Sequence, residues 1–228
     1  MKPYPIMLDL SGRRAVVVGG GRVAARKVRD LLACDALVTV IAPNIHQAIE
    51  ELGKLYPDSL EVLQREYRRG DLAGAALAFA AAGVASVNRD VYEEANMIGI
   101  PVNAVDDPSH CTFYVPSWTN RDGLVLAVST GGVSPALAAR IRRELETHLP
   151  PSLGEALSSL AEARRLLLEN SAFSGLSSHQ RGEMLKKIAH TEELTEKLIQ
   201  HSHYGTLKDF LLSLSSHIPT TVDVDRDS

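Results

Sequence analysis

The chain has 228 residues, of which 45% are hydrophobic and 23% are charged, and these proportions are typical of a globular protein with one or two domains. A net charge of −4 and only two cysteines, Cys34 and Cys111, argue against nucleic-acid binding, a disulfide scaffold and a cysteine-based metal site. No apolar run approaches the ~20 residues that cross a bilayer, and the first residues lack the hydrophobic segment of a signal peptide, so we expect a cytoplasmic protein without a membrane partner.

The first predicted strand and helix enclose a glycine-rich turn. Residues 15–18 are apolar and small or β-branched, three glycines follow, and apolar residues then recur with helical spacing. Gly19-x-Gly21-x-x-Ala24 fits the dinucleotide-binding fingerprint, in which the glycines allow the turn and admit the pyrophosphate. The helix that begins near Arg22 would hold the phosphates on its free N–H groups. A glycine-rich turn without a ligand is the alternative interpretation.

Four further strands alternate with helices along the next 85 or so residues, a spacing typical of βαβ units. We predict them at residues 37–42, 61–65 (an edge strand), 77–81 and 101–105. The alternation predicts an α/β fold with a Rossmann-type doubly wound parallel sheet and a nucleotide across its carboxyl edge. Pro43 and Asn44 end the second strand and are placed to meet the adenosine ribose, although a plain turn is as consistent. Because neither an acidic residue nor an arginine stands there, this position does not distinguish NAD from NADP.

Two aspartates, Asp106 and Asp107, follow the fifth strand. Side chains alternate along a strand, so we expect only one of them to face the ligand edge. A helix cap or a turn is the alternative role for such a residue. His110 and Cys111 come soon after, and although they could touch a metal ion, we expect no fixed metal site.

The pattern changes at Phe113. Residues 113–119 and 124–129 are strand-like and flank a turn, and a second glycine-rich loop leads to Ser134 and Pro135, which are typical of a helix start. That helix is expected to run to about residue 148. The sequence beyond it is helical in pattern, and its last ten residues look frayed.

Several segments resemble the siroheme synthase family in their order and spacing. They are residues 5–10, 18–27, 38–43, 102–106 and 128–138. The family comprises precorrin-2 dehydrogenases, many of which are also sirohydrochlorin ferrochelatases, and the length and helical C-terminus of this chain are similar to its free-standing members. The resemblance implies oxidation of precorrin-2 to sirohydrochlorin by NAD⁺, optional insertion of Fe²⁺ or Co²⁺, and a homodimer.

The resemblance also implies a division of the chain. We expect an NAD-binding Rossmann domain over residues 1–112, a small α+β dimerisation region over 113–150, a helical C-terminal domain over 151–218 and a flexible tail over 219–228.

Family positions carry over to individual residues of this chain. Asp106 matches the catalytic aspartate, which would accept the proton released when a hydride leaves the macrocycle. The cofactor contacts implied in the same way are Gly19, Gly21, Arg22, Val23, Pro43, Asn44 and Asn103. One departure concerns residues 81–86, Ala-Ala-Gly-Val-Ala-Ser, where many members have a Thr-Asp or Thr-Asn pair near the nicotinamide ribose. Backbone groups would have to replace that polar contact.

The substrate of this family carries eight carboxylates, so its site requires local positive charge. Arg121, Arg140 and Arg143 are the candidates, with Arg142 on the same helix, and solvated surface arginines are the alternative. Thr130 matches a position near the substrate cleft and is otherwise an ordinary loop hydroxyl. A function of another class is a Rossmann NAD(H) sensor that signals through its helical C-terminus without catalysis. A sensor of transcription would need basic DNA-reading helices, which this sequence does not predict.

Overall fold

The computed structural model describes residues 3–216. Its contacts divide the chain into two compact units, Met1–Val115 and Pro116–Ser228. The tail expected over residues 219–228 lies outside the described residues, and the finer domain boundaries expected at 112, 150 and 218 stay predictions. Within the described part of the chain, no helix is long and apolar enough to span a bilayer.

The first unit is a parallel sheet flanked by helices. Its strands are β1 (Arg14–Val18), β2 (Leu37–Ile41), β3 (Leu60–Leu63), β4 (Leu77–Ala80) and β5 (Val102–Ala104). Its α-helices are α1 (Arg22–Leu32), α2 (Gln47–Leu55) and α3 (Ala85–Ile98). The strand order is β3-β2-β1-β4-β5 with every pair parallel, which confirms the predicted doubly wound sheet and the edge position of its third strand. The order reverses between β1 and β4, and ligands of such sheets bind in the crevice at that reversal.

Both faces of the sheet are buried, which explains why β1 and β4 are almost continuously apolar. One apolar cluster joins Val17 and Phe79 to Val28 of α1. The other joins Val16 and residues of β4 and β5 to Val91 of α3. Because the sheet is covered on both sides, only its strand ends are open to a ligand.

A buried carboxylate holds the long connection from β3 to β4. Glu94 of α3 is 4% exposed, and it accepts hydrogen bonds from the Tyr67 hydroxyl, from Gly70 N–H at 2.9 Å and from Leu72 N–H at 3.1 Å. Burial and the hydrogen bond to Glu94 raise the pKa of Tyr67. A buried acceptor with three donors fixes a connection that has no regular secondary structure of its own.

Replacement of Glu94 by glutamine should destabilise the first unit. The amide turns an NH₂ group towards donors that previously met an oxygen, so the free energy of unfolding should fall by about 1–3 kcal/mol. Urea denaturation followed by circular dichroism measures the change. Glu93→Gln on the same helix is the control, because Glu93 is exposed and its 3.7 Å ion pair with Arg69 is solvated. Equal stability of the two variants would contradict this role of Glu94.

The second unit begins with a hairpin and continues as helices. The hairpin pairs β6 (Ser117–Arg121) with β7 (Leu124–Val128) in antiparallel register through Asp122 and Gly123, both at positive φ, as the predicted turn requires. The helices are α4 (Pro135–Glu146), α5 (Leu153–Glu169), α6 (Ser178–His190), α7 (Glu192–His203) and α8 (Leu207–Ser215). The last four surround an apolar cluster that includes Leu167, Phe173 and Ile188.

The strand predicted over residues 113–119 is wrong in its first half. β6 begins only at Ser117, because Phe113 and Val115 pack against the core of the first unit. The Phe113 ring meets Phe79 edge-on, with 5.4 Å between ring centroids. An apolar, β-prone run therefore serves here as the last packed segment of the nucleotide fold.

Candidate functional site at the carboxyl edge of the sheet

The glycine-rich turn follows β1 at the reversal of strand order. Gly19 has φ +133°, and a Cβ atom there would lie 2.2 Å from the carbonyl oxygen of Ala81, just after β4. A Cβ on Gly20 would lie 2.0 Å from the carbonyl oxygen of Asn44, just after β2. At the first two positions only glycine fits, because any side chain would overlap the neighbouring backbone. The absence of side chains there allows the loops after β1, β2 and β4 to meet.

The third glycine has a different role. A Cβ added to Gly21 would meet nothing within 4 Å. Gly21 is also the residue that precedes α1, whose start has no side-chain cap and no acidic residue in its first turn. Arg22 is exposed, and Ala24 is fully buried where the helix crosses the strand. Open space beside uncapped N–H groups and the positive end of a helix is the arrangement that binds a pyrophosphate.

These two kinds of glycine predict opposite mutant phenotypes. Gly21→Val should leave the free energy of unfolding within about 1 kcal/mol of the wild type, since the side chain meets only solvent, and should abolish NADH binding by filling the phosphate space. Gly19→Ala should lower the free energy of unfolding by about 2 kcal/mol or more, because a strained residue would clash with backbone. Calorimetric titration with NADH and urea denaturation separate the two effects. Tight NADH binding by Gly21→Val would contradict the assignment of the turn.

The predicted ribose contacts, Pro43 and Asn44, lie directly beside this turn and are exposed. The side-chain amide of Gln64 donates to the Pro43 carbonyl at 3.3 Å. The backbone N–H of His46 donates to Gly20 at 2.8 Å, so the start of α2 is tied to the glycine turn. Val23, in the first turn of α1, is half-buried. Contact of these residues with a ribose or a phosphate stays a prediction.

The turn after β5 separates the two aspartates by conformation. The strand ends at Ala104, before either of them, so the expected alternation along a strand does not decide their directions. Asp106 has φ +61° and an exposed side chain that makes no hydrogen bond or ion pair with any residue between 3 and 216. The N–H of Asp107 closes the turn on the Ala104 carbonyl at 3.4 Å. A free carboxylate therefore stands at the carboxyl edge, on the same side of the sheet as the glycine turn.

Asp107 has the capping role that was the alternative for this pair. Its carboxylate accepts from the N–H of Ser109 at 3.2 Å and from the Ser109 hydroxyl at 2.5 Å, and it meets Nδ1 of His110 at 2.6 Å. The hydrogen bonds from Ser109 and then from His110 hold the pKa of Asp107 below its ordinary value. These bonds fix the short 3₁₀ turn Pro108–His110, which follows the two aspartates in the chain.

Cys111 and Asn103 are turned into the fold. The Cys111 thiol donates its one proton to the Ala104 carbonyl at 3.2 Å, with the Asp107 carbonyl at 3.3 Å as the alternative acceptor, and burial raises the pKa of the thiol. The Asn103 amide donates to the Phe113 carbonyl at 2.9 Å. Asn103 is a predicted cofactor contact, but its side-chain nitrogen already holds the chain after β5. Its side-chain oxygen has no hydrogen-bond partner within residues 3–216. No group of three or more potential metal ligands occurs among these residues.

A polar residue that sequence reasoning missed controls the loop after β4. The side chain of Asn88 accepts from Ala82 N–H at 2.9 Å and donates to the Ala82 carbonyl at 3.0 Å. An asparagine in the first turn of a helix does not by itself predict a functional role. Its importance depends on a loop that only the folded chain brings beside the glycine turn.

The predicted substrate contacts lie in the second unit and differ in availability. Arg121 donates to the carbonyls of Glu146 and Leu149 at 3.5 and 3.4 Å, so it caps the end of α4. Arg140 and Arg143 are exposed and have no hydrogen-bond or ion-pair partner in the described part of the chain. The Thr130 hydroxyl oxygen accepts from Ser134 N–H at 3.0 Å, which orders the second glycine loop. Arg142, which binds Glu146 and Ser117, is structural.

Comparison with known proteins gives two family models and a set of relatives. A model described as putative NAD(P)-binding matches residues 6–117, and one described as sirohaem biosynthesis protein central matches residues 121–148. Siroheme synthase 2 of Halorhodospira halophila (strain DSM 244 / SL1) is 42% identical over 154 residues, which are 68% of this chain and 31% of that protein. The siroheme synthase of Pseudomonas paraeruginosa (strain DSM 24068 / PA7) is 44% identical over 161 residues, which are 71% of this chain and 34% of that protein.

The chain spans about a third of the length of these curated relatives. A solved structure of SirC, precorrin-2 dehydrogenase, aligns over its full length instead. It covers 94% of this chain with a TM-score of 0.70 and 28% sequence identity. The similarity to that structure therefore extends into the helical part of the chain, beyond the segments that the two family models match.

Proposed function

This chain belongs to the siroheme synthase family, and we propose that it is a precorrin-2 dehydrogenase that uses NAD⁺ to form sirohydrochlorin. One observation carries the proposal: the open, uncapped start of α1 and the free carboxylate of Asp106 stand at the same edge of the sheet. The first suits a dinucleotide pyrophosphate and the second suits a proton acceptor. A location in the cytoplasm stays a prediction.

The roles of the residues follow from their positions. Bound NAD⁺ supplies the hydride acceptor. The N–H groups at the start of α1, at Arg22 and Val23, hold the pyrophosphate in the space left by Gly21. Pro43 and Asn44 border the adenosine ribose. Asp106 accepts the proton that precorrin-2 loses as its hydride departs, so that the products are sirohydrochlorin, NADH and one proton.

Asp106→Asn tests the proton acceptor without disturbing the turn. Asparagine tolerates positive φ, so the backbone should keep its conformation while the carboxylate is lost. We expect NADH formation from precorrin-2 and NAD⁺ under anaerobic conditions to fall by about 100-fold or more, and NADH binding by calorimetry to stay within about twofold of the wild type, because the pyrophosphate site is untouched.

Asp35→Asn is the matched control. Asp35 is also exposed and has φ +55°, but it precedes β2 at the opposite edge of the sheet. It should retain full turnover. Turnover by Asp106→Asn equal to that of Asp35→Asn would contradict the role of Asp106, and an inactive wild type that binds NADH would favour the sensor.

The second glycine loop and α4 carry the candidate groups for binding an acidic substrate. Arg140 and Arg143 are the free cations there, and they would attract the carboxylates of precorrin-2. Thr130 remains a candidate contact through its hydroxyl hydrogen, because its oxygen accepts the Ser134 N–H. Arg121 would contribute only if it exchanged the carbonyls at the end of α4 for substrate.

A homodimer would supply the core that the hairpin and α4 lack. Between Ser117 and Leu149 only Ala138 is buried, while Val133 is 87% exposed, Leu145 45% and Val125 39%. Exposed apolar side chains on a hairpin and a helix that have so small a core of their own are typical of an interface between subunits. We therefore place the dimer contact in this region, which the family model of the central domain matches.

Val125→Glu should convert the dimer to a monomer, because a carboxylate on the exposed face of β7 would be buried without a partner on association. Size-exclusion chromatography with light scattering measures the molar mass. Leu168→Glu is the control, since Leu168 is an exposed residue of α5 outside the proposed interface. A monomeric wild type, or a dimeric Val125→Glu variant, would contradict the proposed interface.

Metal insertion is a second proposed activity. Fe²⁺ or Co²⁺ would be a substrate captured by the macrocycle, and the Asp106 carboxylate would accept one of the pyrrole protons that the metal displaces, while the other passes to solvent. Anaerobic mixing of the protein with sirohydrochlorin and Co²⁺ tests this, with the change in the absorbance spectrum of the tetrapyrrole as the signal.

A further inference from the structure

The loop from β4 to α3 lies against the glycine turn but has no polar side chain of its own. Residues 81–85 are Ala-Ala-Gly-Val-Ala. A Cβ on Gly19 would lie 2.2 Å from the carbonyl oxygen of Ala81 and 2.9 Å from the nitrogen of Ala82, so the two segments are in direct backbone contact. Any polar contact between this loop and a cofactor must therefore come from backbone groups.

Asn88 determines which backbone groups remain free. Its amide matches the N–H and the carbonyl of Ala82 simultaneously, at 2.9 and 3.0 Å, so both polar groups of that residue are occupied. The N–H groups of Gly83 and Val84 have no hydrogen-bond partner within residues 3–216. Val84 is 57% exposed and gives the start of α3 no side-chain cap. Free donors thus face solvent immediately after the clamped residue.

We infer that Asn88 is a positioning residue for the nicotinamide half of the dinucleotide. In a doubly wound sheet the cofactor crosses from the loop after β1 to the loop after β4. The start of α1 takes the pyrophosphate, so the next donors along that path are the N–H groups of Gly83 and Val84. Asn88 holds them in place through Ala82. The inference rests on the proposed cofactor function, but it concerns binding rather than turnover.

Asn88→Ala tests the inference by comparing two ligands. NADH carries the nicotinamide ribose and ADP does not, so loss of the clamp should raise the Kd for NADH roughly tenfold and leave the Kd for ADP within about twofold, because the glycine turn is unchanged. Calorimetric titration measures both. Asn88→Asp keeps the acceptor for Ala82 N–H and loses the donor, and it should give a smaller loss of the same kind.

Asn96→Ala is the matched control. Asn96 lies on the same helix and donates to the Tyr92 carbonyl at 3.0 Å, away from the loop. It should bind both ligands as the wild type does. An unchanged Kd for NADH in Asn88→Ala, or equal weakening of NADH and ADP in both Asn88 variants, would overturn the inference. A wild type that binds NADH but fails to oxidise precorrin-2 would instead contradict the proposed reaction. The binding comparison would still test the role of Asn88, because it does not depend on turnover.

Discussion

The carboxyl edge of the parallel sheet depends on backbone segments that lie too close together to leave room for a side chain. Gly19 rests on Ala81 and Gly20 on Asn44 at distances that a Cβ atom could not occupy. These contacts draw the loops after β1, β2 and β4 together at the reversal of strand order. The adjoining Gly21 has open space where a side chain would lie and precedes the uncapped start of α1, so an anionic ligand can approach the N–H groups there.

In the turn after β5, the side chains that form hydrogen bonds differ from the carboxylate that is free. The side chains of Asp107, Ser109 and His110 bond to one another, so these bonds of the turn do not involve the carboxylate of Asp106. Asp106 has no partner in the described part of the chain and occupies a conformation that asparagine and aspartate tolerate better than most residues. Its neighbours bear the structural role, and its own carboxylate stays available for a proton.

Local patterns in the sequence predicted the sheet, the glycine turn and the capped start of α4, because each depends on residues close together in the chain. Roles that depend on distant partners could not be predicted. Arg121 caps α4 and Asn103 donates to Phe113, and these bonds join segments that only the fold brings together. The apolar run at Phe113 predicts a strand, whereas the structure packs it against the first core, because β-propensity does not reveal which core will cover a segment.

The proposed reaction requires that the nicotinamide ring and the carboxylate of Asp106 share one cavity at the carboxyl edge of the sheet. A crystal structure of the protein with NAD⁺ measures this directly. The account predicts pyrophosphate oxygens within hydrogen-bond distance of the N–H groups of Arg22 and Val23, and a nicotinamide ring that opens onto the cavity containing Asp106. A nicotinamide ring separated from Asp106 by intervening protein would contradict it.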